Sequence, residues 1–128
     1  MIDRRIVLSG LAALALSCAG TAQAHHGWAW AEDSNFELTG VIKSAKLGNP
    51  HGILKVAAKK DGKDEEWTVE VGQPWRNERA GLKDSMLVKG VELTIQGNRA
   101  KDPKLKVVKA VRVIINGKTY DLYPERVS

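Results

Sequence analysis

The stretch Trp67-Thr68-Val69-Glu70-Val71-Gly72-Gln73-Pro74-Trp75-Arg76-Asn77-Glu78-Arg79-Ala80-Gly81-Leu82 changes character halfway along. In its first part Trp67, Val69 and Val71 alternate with Thr68 and Glu70, the period of a half-buried strand. Gln73-Pro74 then opens a short helix, because proline fits the first helical turn. Trp75 to Ala80 supplies one or two turns, and Gly81 stops it. Leu82 to Val88 returns the chain to the body. One short helix therefore divides two groups of strands.

Working outward, the upstream group reads as a three-stranded meander. Phe36, Leu38 and Ile42 alternate with Glu37, Thr39 and Lys43, and Leu54, Val56 and Ala58 alternate with Lys55 and Ala57. Asp61-Gly62 is a hairpin turn between the second strand and the strand carrying Trp67. Downstream, Lys89-Gly90 turns into Val91, Leu93 and Ile95. Asn98 to Lys104 reads as a polar loop, and Leu105 to Ile115 as a long strand. Asn116-Gly117 is a strong hairpin signal before a last strand over Thr119 to Tyr123.

This order predicts an all-β chain folded as a small OB-fold-like Greek-key barrel. It has five to six strands, with one short helix between strands 3 and 4. Closure also removes the exposed edges that so many strands would leave. A small sandwich or another small barrel is the alternative. In an OB-fold the binding surface is the strand 2–3 face plus the loops after strands 1 and 4, here 46–51 and 98–104.

Length and composition set the outer limits. The chain has 128 residues, with 20 Lys and Arg against 15 Asp and Glu, a net charge of +5. That is one domain's worth of ordinary globular composition. It excludes a multidomain enzyme, a disordered tail and a multi-pass membrane protein. The lysines are scattered, with only Lys59-Lys60 adjacent, so the positive charge reads as a solvated surface rather than a nucleic-acid footprint.

Residues 1–24 have the pattern of a cleaved secretory signal peptide. Met1 to Arg5 is a basic start, Ile6 to Ala19 is apolar, and Ala22-Gln23-Ala24 is a cleavage site. The expected address is the periplasm, by the general secretory route or, through Arg4-Arg5, the twin-arginine route. An uncleaved anchor over residues 6–24 and lipidation at Cys18 are the competing outcomes. Cleavage after Ala24 removes the one cysteine of the chain. It leaves no disulfide, thiolate ligand or thiol nucleophile, and no transmembrane span. The expected layout is a metal-binding or anchoring segment over 25–35 and a barrel over 36–128.

The three histidines are His25, His26 and His51. Cleavage makes His25 the amino terminus, so its α-amino and ring nitrogens can reach the same metal ion. An α-amine titrates near about 7.7–8.0, so a metal can displace its proton at neutral pH. His51, from the strand 1–2 loop, adds a further imidazole, and His26 is an alternative ring ligand. A nitrogen-rich set without thiolate suits Cu(II) first, then Ni(II) or Zn(II). This is a candidate histidine brace. Two solvated histidines at a terminus and a locally bonded His51 are the plainer reading.

Four further groups bear on a site. Trp28 and Trp30 either pack over a bound cation or anchor the segment as apolar surface. Glu70 is a candidate partner for a ligand histidine, against the default of an exposed strand glutamate. Arg76 and Arg79, one helical turn apart, offer a contact for an anion or a partner carboxylate, against the default of a solvated helix face. Met86 is the one methionine left after cleavage, which argues against a thioether Cu(I) site.

Ala24-His25-His26-Gly27, Thr39-Gly40-Val41 and Asn49-Pro50-His51 resemble a family of small exported bacterial proteins known as a domain of unknown function. Trp67 to Glu70 with Gly72 and Pro74, Arg79 to Leu82, and Gly97 to Asp102 resemble its later blocks. The likeness spans nearly all of the chain after the signal. It implies a periplasmic address and a barrel-like β fold, and supplies no activity. Family members more often carry Ser-Phe after His-His, where this chain has Gly27-Trp28.

The expected function is periplasmic copper(II) binding for storage, delivery or tolerance, with a periplasmic or inner-membrane protein as partner. The alternative is a metal-free OB-type module that binds a glycan, peptide or protein. No HExxH, G-x-S-x-G or phosphate loop is present, so a binding protein is expected rather than an enzyme.

Overall fold

A computed structural model describes residues 27–127. The signal segment, Cys18, His25 and His26 lie outside the described residues. The described residues form two units divided after Trp30, and Trp28 and Trp30 belong to the first. Both are half-buried.

The body holds β1 (Phe36–Lys46), β2 (Ile53–Lys60), β3 (Lys63–Glu70), α1 (Pro74–Ala80), β4 (Glu92–Arg99), β5 (Val107–Ile115) and β6 (Lys118–Asp121). A 3-10 turn over Asp84–Met86 precedes β4, and another over Pro124–Arg126 follows β6. The strands run in the order β3-β2-β1-β4-β5-β6, and β3 also pairs with β5. That last pairing is parallel and short, joining Thr68, Val69 and Glu70 to Val107, Val108 and Lys109. It closes β1 to β5 into a five-stranded barrel with β6 as an extra strand. This is the OB-type Greek key that the element order predicts.

Local chemistry explains the turns. Asp61 and Asn116 take positive φ values of 53° and 50°, each followed by a glycine at positive φ. That is the requirement of tight hairpin turns. Helix α1 starts on Pro74 and ends on Gly81 in the left-handed conformation, whose N–H bonds back to the Asn77 and Glu78 carbonyls. Buried Asn77 ties the helix to the chain before it, accepting from the Gly72 N–H and donating to the Gly72 carbonyl, each at 3.0 Å.

Inside, Trp67, Leu54, Val56, Ile42, Ile95, Val69, Val108 and Val113 are almost fully buried. Side chains therefore fill the barrel, as expected at this strand number, and ligand sites belong on its outside.

Several strand limits differ from expectation: β5 starts at Val107 rather than Leu105, and β6 covers Lys118–Asp121 rather than Thr119 to Tyr123. Asn98 and Arg99, expected to open a loop, extend β4, and Ala100 makes an isolated bridge to Ala31. The strand continues because β5 pairs with it across a bulge: Gly97 faces Ala110 and Gln96 faces Arg112, leaving Val111 extra in β5. The guanidinium of Arg99 also lies over the Trp67 and Phe36 rings, 5.1 and 5.5 Å from their centroids. The loops after β1 and β4 are thus 47–52 and 100–106.

Candidate functional site

The site builds from the place where β2, β3 and β5 meet. Pairing between β2 and β3 continues beyond the strands, with the Val71 N–H on the Gly52 carbonyl at 2.9 Å and the Gly52 N–H on the Gly72 carbonyl at 3.2 Å. His51 has the parity of Ile53, and Ile53 is opposite Glu70. Lys109 is opposite Glu70 on the other side. Directly paired residues share a sheet face, so His51, Glu70 and Lys109 gather on the outer face at one end of the barrel.

Their contacts are direct. His51 Nε2 is 3.3 Å from Glu70 Oε2, and Lys109 Nζ is 3.0 Å from Glu70 Oε1. The Glu70 and Lys109 side chains are only 8% and 7% exposed, and that of His51 is 19% exposed. A buried carboxylate is thus shared between a cation and an imidazole, each on its own oxygen. The default of an exposed strand glutamate does not hold at Glu70. The segment after β6 covers its neighbourhood, and buried Tyr123 lies with its ring 6.0 Å from Lys109 Nζ.

The network continues into α1. The Arg76 guanidinium lies 4.1 Å from the Tyr123 ring centroid and 4.6 Å from that of Trp75. It donates to the Leu122 carbonyl at 3.1 Å and approaches Glu125 at 3.8 Å. Arg79, exposed, lies 5.2 Å from the Trp75 ring centroid. Trp75 itself is 52% exposed. The two arginines are therefore not equivalent: Arg76 is engaged with residues 122–125, while Arg79 faces solvent beside Trp75.

Burial raises the Tyr123 hydroxyl above the usual tyrosine range. Arg76 opposes that rise, and Glu70 and then Glu125 add to it. Tyr123 thus stays neutral at physiological pH and presents a polar but uncharged group beside the ion pair.

Of the residues expected from sequence, His51, Glu70, Arg76 and Arg79 fall along one connected path. Lys109 and Tyr123 link the two halves of that path, and sequence reasoning did not single them out. A signal for Lys109 exists: it is a lone charge inside the apolar run Val107-Val108-Lys109-Ala110-Val111. His25 and His26 lie outside the described residues. Among the described residues no group of three or more His, Cys, Asp or Glu is arranged to hold a metal ion. No helix among them is long and apolar enough to cross a membrane.

The strand 2–3 face has a different character. Lys55 donates to Thr68 at 2.6 Å, and Lys43 pairs with Glu66 across 3.7 Å. Outward positions on β2 and β3 carry no aromatic residue. The face therefore lacks the stacking platform on which OB-folds hold single-stranded nucleic acid.

Among solved structures, the chain is similar to the ZRD-deleted mutant of TiaS in complex with agmatine, at 13% identity and a TM-score of 0.48. That likeness covers 69% of this chain and 26% of the other, so this chain spans about a quarter of that protein. It is also similar to the mitochondrial single-stranded DNA binding protein Rim1 from S. cerevisiae, at 14% identity and a TM-score of 0.48, over 65% of this chain and 92% of that one. No curated protein matches the chain. A family does match, over residues 13–109, a span that includes all three histidines and both acidic and basic members of the ion pair. The chain belongs to the Family of unknown function DUF6152.

Proposed function

We propose that this is an exported copper(II)-binding protein of the periplasm, serving storage, delivery or tolerance. The ion is held by the amine and ring of His25 and by the ring of His51, with His26 as an alternative ring ligand. Ni(II) and Zn(II) suit the same nitrogen donors less well.

The observation that carries this reading is the His51–Glu70 contact at 3.3 Å, with Glu70 itself fixed by Lys109 at 3.0 Å. Metal-binding histidines commonly place one ring nitrogen on a carboxylate, which sets ring orientation and leaves the other nitrogen for the metal. Here Glu70 takes Nε2, so Nδ1 is the ligand atom. Lys109 holds the carboxylate so that it does not compete for the ion.

The test begins with the intact mass of protein purified natively from the periplasm. The expected species starts at His25 and carries one copper. His51→Ala should abolish stoichiometric binding, and Glu70→Gln should weaken it by roughly 10- to 100-fold. A chain correctly cut before His25 that stays metal-free in added copper refutes the reading, as does a lipidated or uncleaved product.

A second reading is favoured by one observation, the half-exposed Trp75 beside exposed Arg79. Tryptophan and arginine are the residues that dominate interface energies. In that reading the protein is a metal-free module for a glycan, peptide or protein partner. His25→Ala then leaves binding unchanged, and Arg79→Ala weakens it.

A further inference from the structure

A second surface site lies on the other side of the segment after β6. A polar row crosses the outer face of four strands, because Glu37 is paired with Gln96, Gln96 with Arg112, and Arg112 with Asp121. Neighbouring members are about 4.8 Å apart across the sheet. A cleft of about 300 Å³ opens over this row, with Glu37, Gln96, Asn98, Val111, Arg112 and Val127 in its walls. That is at the lower end of small-molecule sites, which run from about 300 to 1,000 Å³. The cleft therefore suits one small molecule and not a polymer segment.

The walls place cationic and anionic side chains in one cleft. Arg112 donates through Nε to Asp121, which fixes the guanidinium plane. Among the described residues its two terminal nitrogens have no partner. Gln96 donates through its amide nitrogen to one Glu37 oxygen at 3.1 Å, and Asn98 donates to the Ser34 carbonyl at 3.1 Å. Each of those amides keeps one further N–H. The second Glu37 oxygen, Gln96 Oε1 and Asn98 Oδ1 remain without partners among the described residues.

The walls thus offer two guanidinium groups, Arg112 and Arg126, and three acceptor atoms, one of them on the anionic Glu37. Val111 and Val127 add apolar wall. A guanidinium fork matches a carboxylate, and a primary ammonium brings three donors and no acceptor. From this complementarity we propose that the cleft binds a free α-amino acid with an apolar side chain. Its carboxylate sits on Arg112, its ammonium on Glu37, Gln96 and Asn98, and its side chain against Val111 and Val127. This site is separate from the histidine cluster and does not depend on copper.

Calorimetric titration of the full mature chain with L-leucine tests it, with isoamylamine and 4-methylpentanoate as the two one-ended analogues. Leucine is expected to bind, and each analogue to bind at least tenfold more weakly. Glu37→Gln, at an exposed position, should weaken leucine binding without disturbing the fold, as judged by circular dichroism. Arg112→Ala should weaken it by roughly 10- to 150-fold, the range for a hydrogen bond to a charged group. Three results overturn the proposal: no heat with leucine or any other apolar amino acid, unchanged affinity in both variants, or 4-methylpentanoate binding as tightly as leucine. The last would mark a simple anion site.

Discussion

Lys109→Met should be one of the most damaging single substitutions in the barrel, although it replaces a charge with an apolar side chain of similar length. The lysine and Glu70 are 7% and 8% exposed, with 3.0 Å between Nζ and Oε1. Removing one member of a buried ion pair strands the other, at a cost of about 3–5 kcal/mol. Glu70 keeps its contact with His51 at 3.3 Å, so the expected loss is at the lower end, about 3 kcal/mol. In a domain near 100 residues each kcal/mol shifts the melting temperature by about 4–8 °C, giving a fall of roughly 12–24 °C. Urea denaturation followed by circular dichroism measures the loss directly. The double variant Glu70→Leu with Lys109→Met is the diagnostic control. Replacing a buried pair by apolar residues is often neutral or stabilising, so the double variant should be more stable than Lys109→Met alone. A loss below about 1 kcal/mol for Lys109→Met, the range of surface pairs, would refute the argument. So would additive losses in the double-mutant cycle.

Other consequences follow from single positions. A Cβ at Gly97 would fall on the Lys109 carbonyl oxygen and 3.1 Å from Ala110 Cα, so Gly97→Ala should cost about 3 kcal/mol by overpacking against backbone. Gly90→Ala meets no atom within 4 Å, and its cost should come from its φ of 94° alone; thermal melts of the two variants separate these causes. Asn77→Ala removes two buried bonds to Gly72 and should cost about 2–4 kcal/mol in the same urea assay. For Tyr123, the unfolded hydroxyl ionises near the ordinary value of 10.0 and the folded one higher. Above that ordinary value the unfolded chain releases a proton that the folded chain retains, so stability falls as pH rises. Wild type should lose stability relative to Tyr123→Phe as pH climbs above 10.0 through the raised value, with a constant difference at lower pH; pH-dependent urea midpoints check this.

Much of the fold is legible because its punctuation is local. Asp61-Gly62, Asn116-Gly117, Pro74 and Gly81 each impose a backbone shape that the structure adopts. The barrel closure is not local. It rests on three residues of β3 beside three of β5, some 40 positions apart in the chain, and no periodicity marks them. The same holds for the site. His51 and Glu70 are visible as residue types suited to a metal site, but their meeting depends on pairing that extends past the ends of β2 and β3. Lys109 is harder still. Lys109 and Arg112 are an odd number of positions apart, so simple alternation puts them on opposite faces. Both face outward, because Val111 is an extra residue between Ala110 and Arg112.

That extra residue organises both outer sites. A bulge leaves its residue outside the regular ladder, and here the Val111 carbonyl accepts the N–H groups of Leu122 and Tyr123 at 2.9 and 3.2 Å. Those two bonds fix the segment after β6 across the outer face of β5. On one side the segment sets Tyr123 over Lys109 and offers the Leu122 carbonyl to Arg76, which shields the Glu70 ion pair from water. On the other side Val127 stands in the wall of the cleft that Arg112 floors. Without the bulge, regular alternation from Lys109 would turn Arg112 into the barrel, where Val113 and Ile95 leave no room for a charge. The change of parity thus lets a single strand present a lysine to one site and an arginine to the other while keeping its inward positions apolar.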